Sequence, residues 1–282
     1  MNINLGIDIG GSTTKIIGLN NGKLIGTKLV RAADQMTALY GAIGSFLREH
    51  KISLNDVSLI TLTGVGASFI SKESIYDIKT IKVDEFQAIG RGARYLSKLN
   101  DILVVSMGTG TALVKATGSE ITRIGGSGVG GGTILGLASQ MLGKSDIDAI
   151  IDLASTGNLR NVDLMVGDII GNEIPSLASD LTAANFGNII STASKSDIAL
   201  GIINMVFEVI GMLVVLALRN ETISDVVLTG TLTTFPQAPT IFKRFEDMTG
   251  LNFIIPENAM FSTALGTALT TNDSAGYKIF YK

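Results

Sequence analysis

Asp8-Ile9-Gly10-Gly11-Ser12-Thr13-Thr14-Lys15 is the stretch on which the reading of this chain turns. It follows an apolar run at residues 5–7 and leads into another at 15–19, so it reads as strand, glycine turn and returning strand. Two glycines let backbone N–H groups close on an anion, and Ser12 and Thr13 add hydroxyl donors. Lys15 brings a positive charge. Asp8, at the strand end, is placed to hold Mg²⁺ through water, since Mg²⁺ keeps much of its hydration shell. The spacing is neither GxxxxGK[ST] nor GxGxxG. By itself the stretch fits a plain glycine hairpin with a solvated lysine equally well, so its surroundings have to decide.

Outward from it, Asn20-Asn21-Gly22 is a strong hairpin signal before a strand at 23–30. A helix is expected over 36–50, then a short apolar strand at 58–63 that runs into Gly64-Val65-Gly66. A second helix is expected over 85–99, with Phe86, Ile89, Ala93 and Leu96 on one face. Then the opening pattern returns. A strand at 102–106 meets Gly108-Thr109-Gly110-Thr111, a strand at 112–116 follows, Gly118-Ser119 turns the chain, and 120–124 is a third strand. Gly10 and Gly108 lie 98 positions apart (108 − 10). Such a duplication predicts an α/β protein of two similar domains around a cleft, an N-terminal lobe at 1–99 and a C-terminal lobe at 100–282. Beyond it come the glycine stretch Gly125–Thr133, a helix to about 142, and a weakly patterned region to about 188. A long apolar helix, a strand at 225–229, a helix near 239–249, a strand at 251–255 and a closing helix near 262–269 complete the chain.

Composition removes several function classes. The 282 residues are 46% hydrophobic and 17% charged, enough apolar mass for large cores and against disorder. The 33 glycines show no period, which excludes collagen. A net charge of −3 without any basic run gives no electrostatic footprint for nucleic acid. No cysteine is present, which removes disulfides, thiolate catalysis and iron–sulfur ligation. The single histidine, His50, reads as part of a solvated helix end. The opening MNINLGIDIG carries no basic or leader-like stretch, so a cytoplasmic protein is expected. Residues 198–218 mimic a membrane span but carry Glu208 one turn from Asn204, so a buried helix is the reading and no membrane contact is expected.

Asp8–Lys15, Gly108-Thr109-Gly110-Thr111 and Val226-Val227-Leu228-Thr229-Gly230, in that order, resemble the actin/Hsp70/sugar-kinase superfamily with its duplicated ribonuclease H-like fold. The resemblance implies that two loops (Gly10, Gly11, Ser12, Thr13 and Lys15; Gly108, Thr109 and Gly110) clamp ATP phosphates, and that Gly230 supports adenosine. A phosphoryl acceptor also needs a carboxylate aimed at its hydroxyl. Ser106 stands where the second repeat would repeat Asp8, so Glu85, opening the helix after Val83-Asp84, is the candidate, its charge favoured by the helix N-terminus. The same two acids also make an ordinary N-cap pair.

Asp84-Glu85-Phe86 with Arg91-Gly92 and Tyr95 resembles the type II (eukaryotic-like) pantothenate kinases. So do Arg123-Ile124-Gly125-Gly126-Ser127 with Gly130-Gly131-Gly132-Thr133, Ala183–Gly187, and Ala259–Gly266. The resemblance covers nearly the whole chain. It implies ATP-dependent phosphorylation of pantothenate to 4′-phosphopantothenate, the first step of coenzyme A biosynthesis. It implies Glu85 as general base, Arg123 on substrate and phosphoryl, Thr109 as a pantothenate contact, Gly130 to Thr133 near the nucleotide, Mg²⁺ at Asp8, and a homodimer built through the long apolar helix. Ala112 stands where relatives often carry a second hydroxyl, and Thr231-Leu232 replaces a more usual glycine or serine. A sugar or amino-sugar kinase of the same superfamily and a non-catalytic ATP-binding module are the alternatives. The activators of radical dehydratases share the N-terminal motif but hold their cluster with cysteines, which this chain lacks.

Overall fold

The computed structural model describes residues 2–31, 34–70, 74–170 and 179–270. In chain order its elements are β1 (Ile3–Ile9), β2 (Thr14–Asn20), β3 (Lys23–Val30), α1 (Gln35–Glu49), β4 (Val57–Thr63), β5 (Ser74–Ile75), β6 (Ile78–Lys82), α2 (Glu85–Ser97), β7 (Ile102–Met107), β8 (Thr111–Thr117) and β9 (Glu120–Ser127). Then come α3 (Gly131–Leu142), α4 (Ile147–Ala154), β10 (Leu164–Met165), α5 (Val166–Ile169), β11 (Thr182–Ala184), α6 (Lys195–Leu218), β12 (Asp225–Thr229), α7 (Ala238–Thr249), β13 (Asn252–Ile254) and α8 (Ser262–Leu269). They form two compact units. The first runs to Gly126 and takes in Asp225–Thr233 and the described residues from Ile254 on; the second is Ser127–Ser224 with Thr234–Phe253.

Both sheets expected to found separate lobes contribute to the first unit. One has the order β3-β2-β1-β4-β6-β5; the other contributes β12-β7-β8-β9. In each, the central strand has an antiparallel hairpin partner on one side and a parallel strand on the other: β2 and β4 beside β1, β8 and β12 beside β7. The repeated sequence pattern therefore becomes a repeated strand order. The Asn21-Gly22 turn has φ of 49° and 79°, the left-handed pair that a two-residue hairpin needs.

The first sheet buries Ile3, Leu5, Ile7 and Ile9 of β1 with Ile60 and Leu62 of β4 against Leu39, Ile43 and Phe46 of α1. The second buries Ile102, Val104, Val114 and Val227 against Ile89 and Ala93 of α2. Of the four α2 residues expected on one face, Ile89 and Ala93 are buried here, Phe86 packs partly buried against the same cluster, and Leu96 packs instead against the cluster formed with α8. Helix α2 packs on α8 at backbone contact: a Cβ at Gly266 would lie 1.8 Å from the Ala88 carbonyl oxygen, and one at Gly92 the same distance from that of Ser262. His50 departs from expectation. It caps the C-terminus of α1 but is half-buried, its ring 4.5 Å from that of Phe46 and lying over Gly26.

In the second unit α6 is long and apolar enough to cross a membrane by length and composition. Twelve of its residues are buried, among them Phe207, whose ring meets those of Phe235 and Phe242. Of its two polar intruders Glu208 is satisfied, whereas Asn204 is satisfied only through Nδ2, its Oδ1 being buried with no hydrogen-bond partner among the described residues. Asn204 donates to the buried Asp163 at 3.1 Å, and Glu208 accepts from Thr182 and Asn185 at 2.8 Å each. The weakly patterned region thus supplies the polar partners of the apolar helix, as burial of such groups requires.

Candidate active site

Asp8 ends the central strand of the first sheet, and the β1–β2 register sets it directly opposite Lys15. Lys15 is buried. Burial raises the Asp8 carboxyl above its ordinary value and lowers the Lys15 ammonium, and each charge opposes the shift of the other. The glycine turn after Asp8 is closed by a Gly10 N–H donating to the Thr13 carbonyl at 2.9 Å. The second turn closes in the same way, Gly108 N–H to the Gly110 carbonyl at 2.9 Å. The two turns meet: the hydroxyls of Ser12 and Thr109 lie 3.5 Å apart. Two loops of donors from different sheets converge on one place.

Helix α2 brings an acid to this charge cluster. Asp84 caps it, its carboxylate accepting the Gln87 N–H at 2.9 Å, and Glu85 is the first helical residue. The sequence suggested that the helix N-terminus would favour the Glu85 charge. Instead its pKa is raised, first by burial and then by the charges of Asp8 and Asp84. Desolvation and two neighbouring acids outweigh the helix end. The charges of Asp8 and Glu85 thus act on each other.

Arg123 lies on β9, its guanidinium carbon 5.3 Å from the centre of the Phe86 ring. Gln87 donates through Nε2 to the Ile121 carbonyl at 3.0 Å, which ties α2 to the strand that carries Arg123. Glu85 and Arg123 are thereby fixed to each other through Phe86 and Gln87, neither of which has a role legible in spacing alone. Gly230 follows β12 with φ of +90°, its N–H donating to the Ala259 carbonyl at 3.1 Å, and it lies against Met107, one residue before the second glycine turn. These residues all belong to the first unit. Gly130, Gly131, Gly132 and Thr133 open α3 in the second unit, where the Gly130 N–H donates to the Thr133 hydroxyl at 3.2 Å.

The fold and this convergence of loops place the chain in a known class. It is similar to the activator of the 2-hydroxyisocaproyl-CoA dehydratase from Clostridium difficile with bound ADPNP, with a TM-score of 0.68 and 16% identity over 95% of this chain and 93% of that one. It is similar also to component A of the (R)-2-hydroxyglutaryl-CoA dehydratase of Acidaminococcus fermentans, with a TM-score of 0.68 and 21% identity over 96% and 97%. The protein has the actin-like ATPase fold.

Its sequence relatives narrow this class. The Fumble family model matches residues 98–238. A type II pantothenate kinase of Staphylococcus haemolyticus is 32% identical over 275 residues, 93% of this chain and 97% of the relative. One of Bacillus anthracis is 30% identical, over 82% and 83%. The chain belongs to the type II pantothenate kinase family.

Proposed function

We propose that this protein transfers the γ-phosphoryl group of ATP to the primary hydroxyl of pantothenate, giving 4′-phosphopantothenate and ADP. The observation that carries the reading is Glu85, at the family's acid position and coupled in charge to Asp8 beside the first glycine turn. Glu85 takes the proton of the hydroxyl as its oxygen attacks the γ-phosphorus, and the bond from that phosphorus to the β–γ bridging oxygen breaks. A carboxyl already raised by burial is a better proton acceptor than an exposed one. Ser12, Thr13, the backbone N–H groups of Gly11 and Gly110, and Lys15 receive the phosphates, while the Gly10 and Gly108 N–H groups hold the two turns closed. Thr109 contacts pantothenate. Arg123, steadied on Phe86, meets substrate carboxylate or transferring phosphoryl with its planar fork of donors. Gly230 supports adenosine.

The donor set suits Mg²⁺. Asp8 and Glu85 bring two carboxylates against the one ammonium of Lys15, which leaves room for added positive charge. Among the described residues no group of three His, Cys, Asp or Glu gathers to hold a metal. That pattern fits a cation held mainly by phosphate oxygens and water, with Asp8 as its protein anchor. When bound, Mg²⁺ supplies neutralisation of the phosphate charge.

Purified protein with ATP and Mg²⁺ is offered pantothenate beside a panel of hexoses and amino sugars. Transfer to pantothenate alone is expected; transfer to a sugar in its place contradicts the reading and favours the sugar-kinase alternative. We further propose a homodimer through the α6 region, where Met212 and Leu216 stand 44% and 59% exposed on an otherwise packed helix. Sedimentation at micromolar concentration is expected to give twice the chain mass, and a single-chain mass contradicts it.

A further inference from the structure

Gly64 occupies, in the first sheet, the place that Gly230 occupies in the second. Thr63-Gly64 closes β4 and Thr229-Gly230 closes β12. Strand register sets Thr63 beside Asp8 and Thr229 beside Ser106. The two threonine hydroxyls point to different neighbours: that of Thr63 donates to the Val83 carbonyl, just past β6, at 2.9 Å, and that of Thr229 to the Val105 carbonyl of the central strand β7 at 3.5 Å. The two glycines have nearly the same positive φ, +87° and +90°. Each presses on the residue after the matched strand-end position. A Cβ at Gly64 would sit 2.6 Å from the Ile9 carbonyl oxygen, and one at Gly230 2.5 Å from that of Met107.

The surroundings of the two glycines differ as well. At Gly230 the three nearest atoms are all main chain of Met107; at Gly64 a Cβ would also lie 2.6 Å from Oδ1 of Asp8. The duplicated backbone asks for glycine in both copies, but only in the first does the missing side chain make room for a carboxylate. We infer that Gly64 is a positioning residue: its bare Cα leaves the space in which the Asp8 carboxylate rests, and so fixes where that carboxylate meets a divalent cation and the phosphates. This inference rests on the role proposed for Asp8.

The test uses the full chain and four forms: parent, Asp8→Asn, Gly64→Ala and Gly22→Ala. Gly22 is the control for backbone strain, with φ of +79° and open space where its Cβ would stand. Calorimetry measures affinity for a non-hydrolysable ATP analogue with Mn²⁺ and again with chelator, and the gain due to the cation is the readout. The parent is expected to show a gain, Asp8→Asn to lose it, and Gly64→Ala to lose about tenfold of it, a typical effect of altering the support of a metal-site group. Its affinity in chelator and its KM for pantothenate are expected to stay parental, and Gly22→Ala to match the parent throughout. A folded Gly64→Ala protein with the full gain overturns the inference while leaving Asp8 its role. A full gain in Asp8→Asn removes that role, and the inference with it. If Gly64→Ala does not fold, the double variant Asp8→Ala/Gly64→Ala decides. Recovery of the melting temperature of Asp8→Ala supports the inference; continued failure assigns the constraint to the Ile9 carbonyl and overturns it.

Discussion

Asp84 and Glu85 are adjacent acids with separate tasks. The Asp84 carboxylate is engaged by the Gln87 N–H, whereas Glu85 is held by burial and by the charges of Asp8 and Asp84 above the ordinary range of a glutamate. A base must be ionised to act, so with Glu85 in the role we propose activity is expected to fall as pH drops through this raised pKa. Asn in place of Asp84 keeps the cap, since Asn caps as well as Asp, and removes one of the charges that raise Glu85. The acidic limb of kcat/KM for Asp84→Asn is therefore expected to move to lower pH, with the melting temperature little changed. A limb that stays in place or moves upward contradicts the coupling. The acid pair itself could be read from its spacing before an amphipathic helix. The direction of the Glu85 shift could not, because it depends on Asp8, 77 positions away (85 − 8), and on burial that a linear pattern does not show. The contact of Gly64 with Asp8 was hidden for the same reason: it arises from strand register across β1 and β4.

Helix α6 shows what an element needs beyond its own pattern. Its apolar run and its helix ends were legible, and so was the need to bury Glu208 and Asn204 away from lipid. Their partners were not, because Asp163, Thr182 and Asn185 come from a region without periodicity, and only folding brings them to the helix. Asp197, in the first turn, shares a capping box with Ser194 and also accepts the Asn158 N–H at 2.7 Å and the Asn161 side-chain amide at 3.1 Å. These bonds, led by the Ser194 and Asn158 N–H groups, lower its pKa to about 2. The folded value lies below the unfolded one of roughly 3.9. The stabilisation is thus present above about pH 4 and lost as pH falls from there toward 2. Asp197→Asn is expected to cost about 1 kcal/mol at neutral pH, the scale of a helix cap. Chemical denaturation of both proteins down the pH scale checks it: the gap should narrow between about pH 4 and 2, and a gap constant with pH contradicts the assignment.

At the scale of the whole molecule, one sequence duplication yields the order β3-β2-β1-β4 in one sheet and β9-β8-β7-β12 in the other. The two glycine turns were visible at matched places in the chain. The match of Thr63-Gly64 with Thr229-Gly230 emerges only when the parallel strands are laid beside their centres. The partition into compact units was not legible either, since the first unit gathers three separate stretches of chain. The copies have diverged where chemistry needs it. The first keeps an acid at the strand end, Asp8, and the second has Ser106, so on the proposed mechanism the base comes from neither turn but from the helix that precedes the second repeat. The division of labour we propose leaves proton removal to Glu85 and phosphate reception to the turns. It is tested most directly by single-turnover transfer from saturating ATP to saturating pantothenate in the parent and in Glu85→Gln. A loss of rate on the order of 10²-fold or more is expected, with nucleotide affinity retained; a Glu85→Gln protein that transfers phosphate at the parental rate contradicts it.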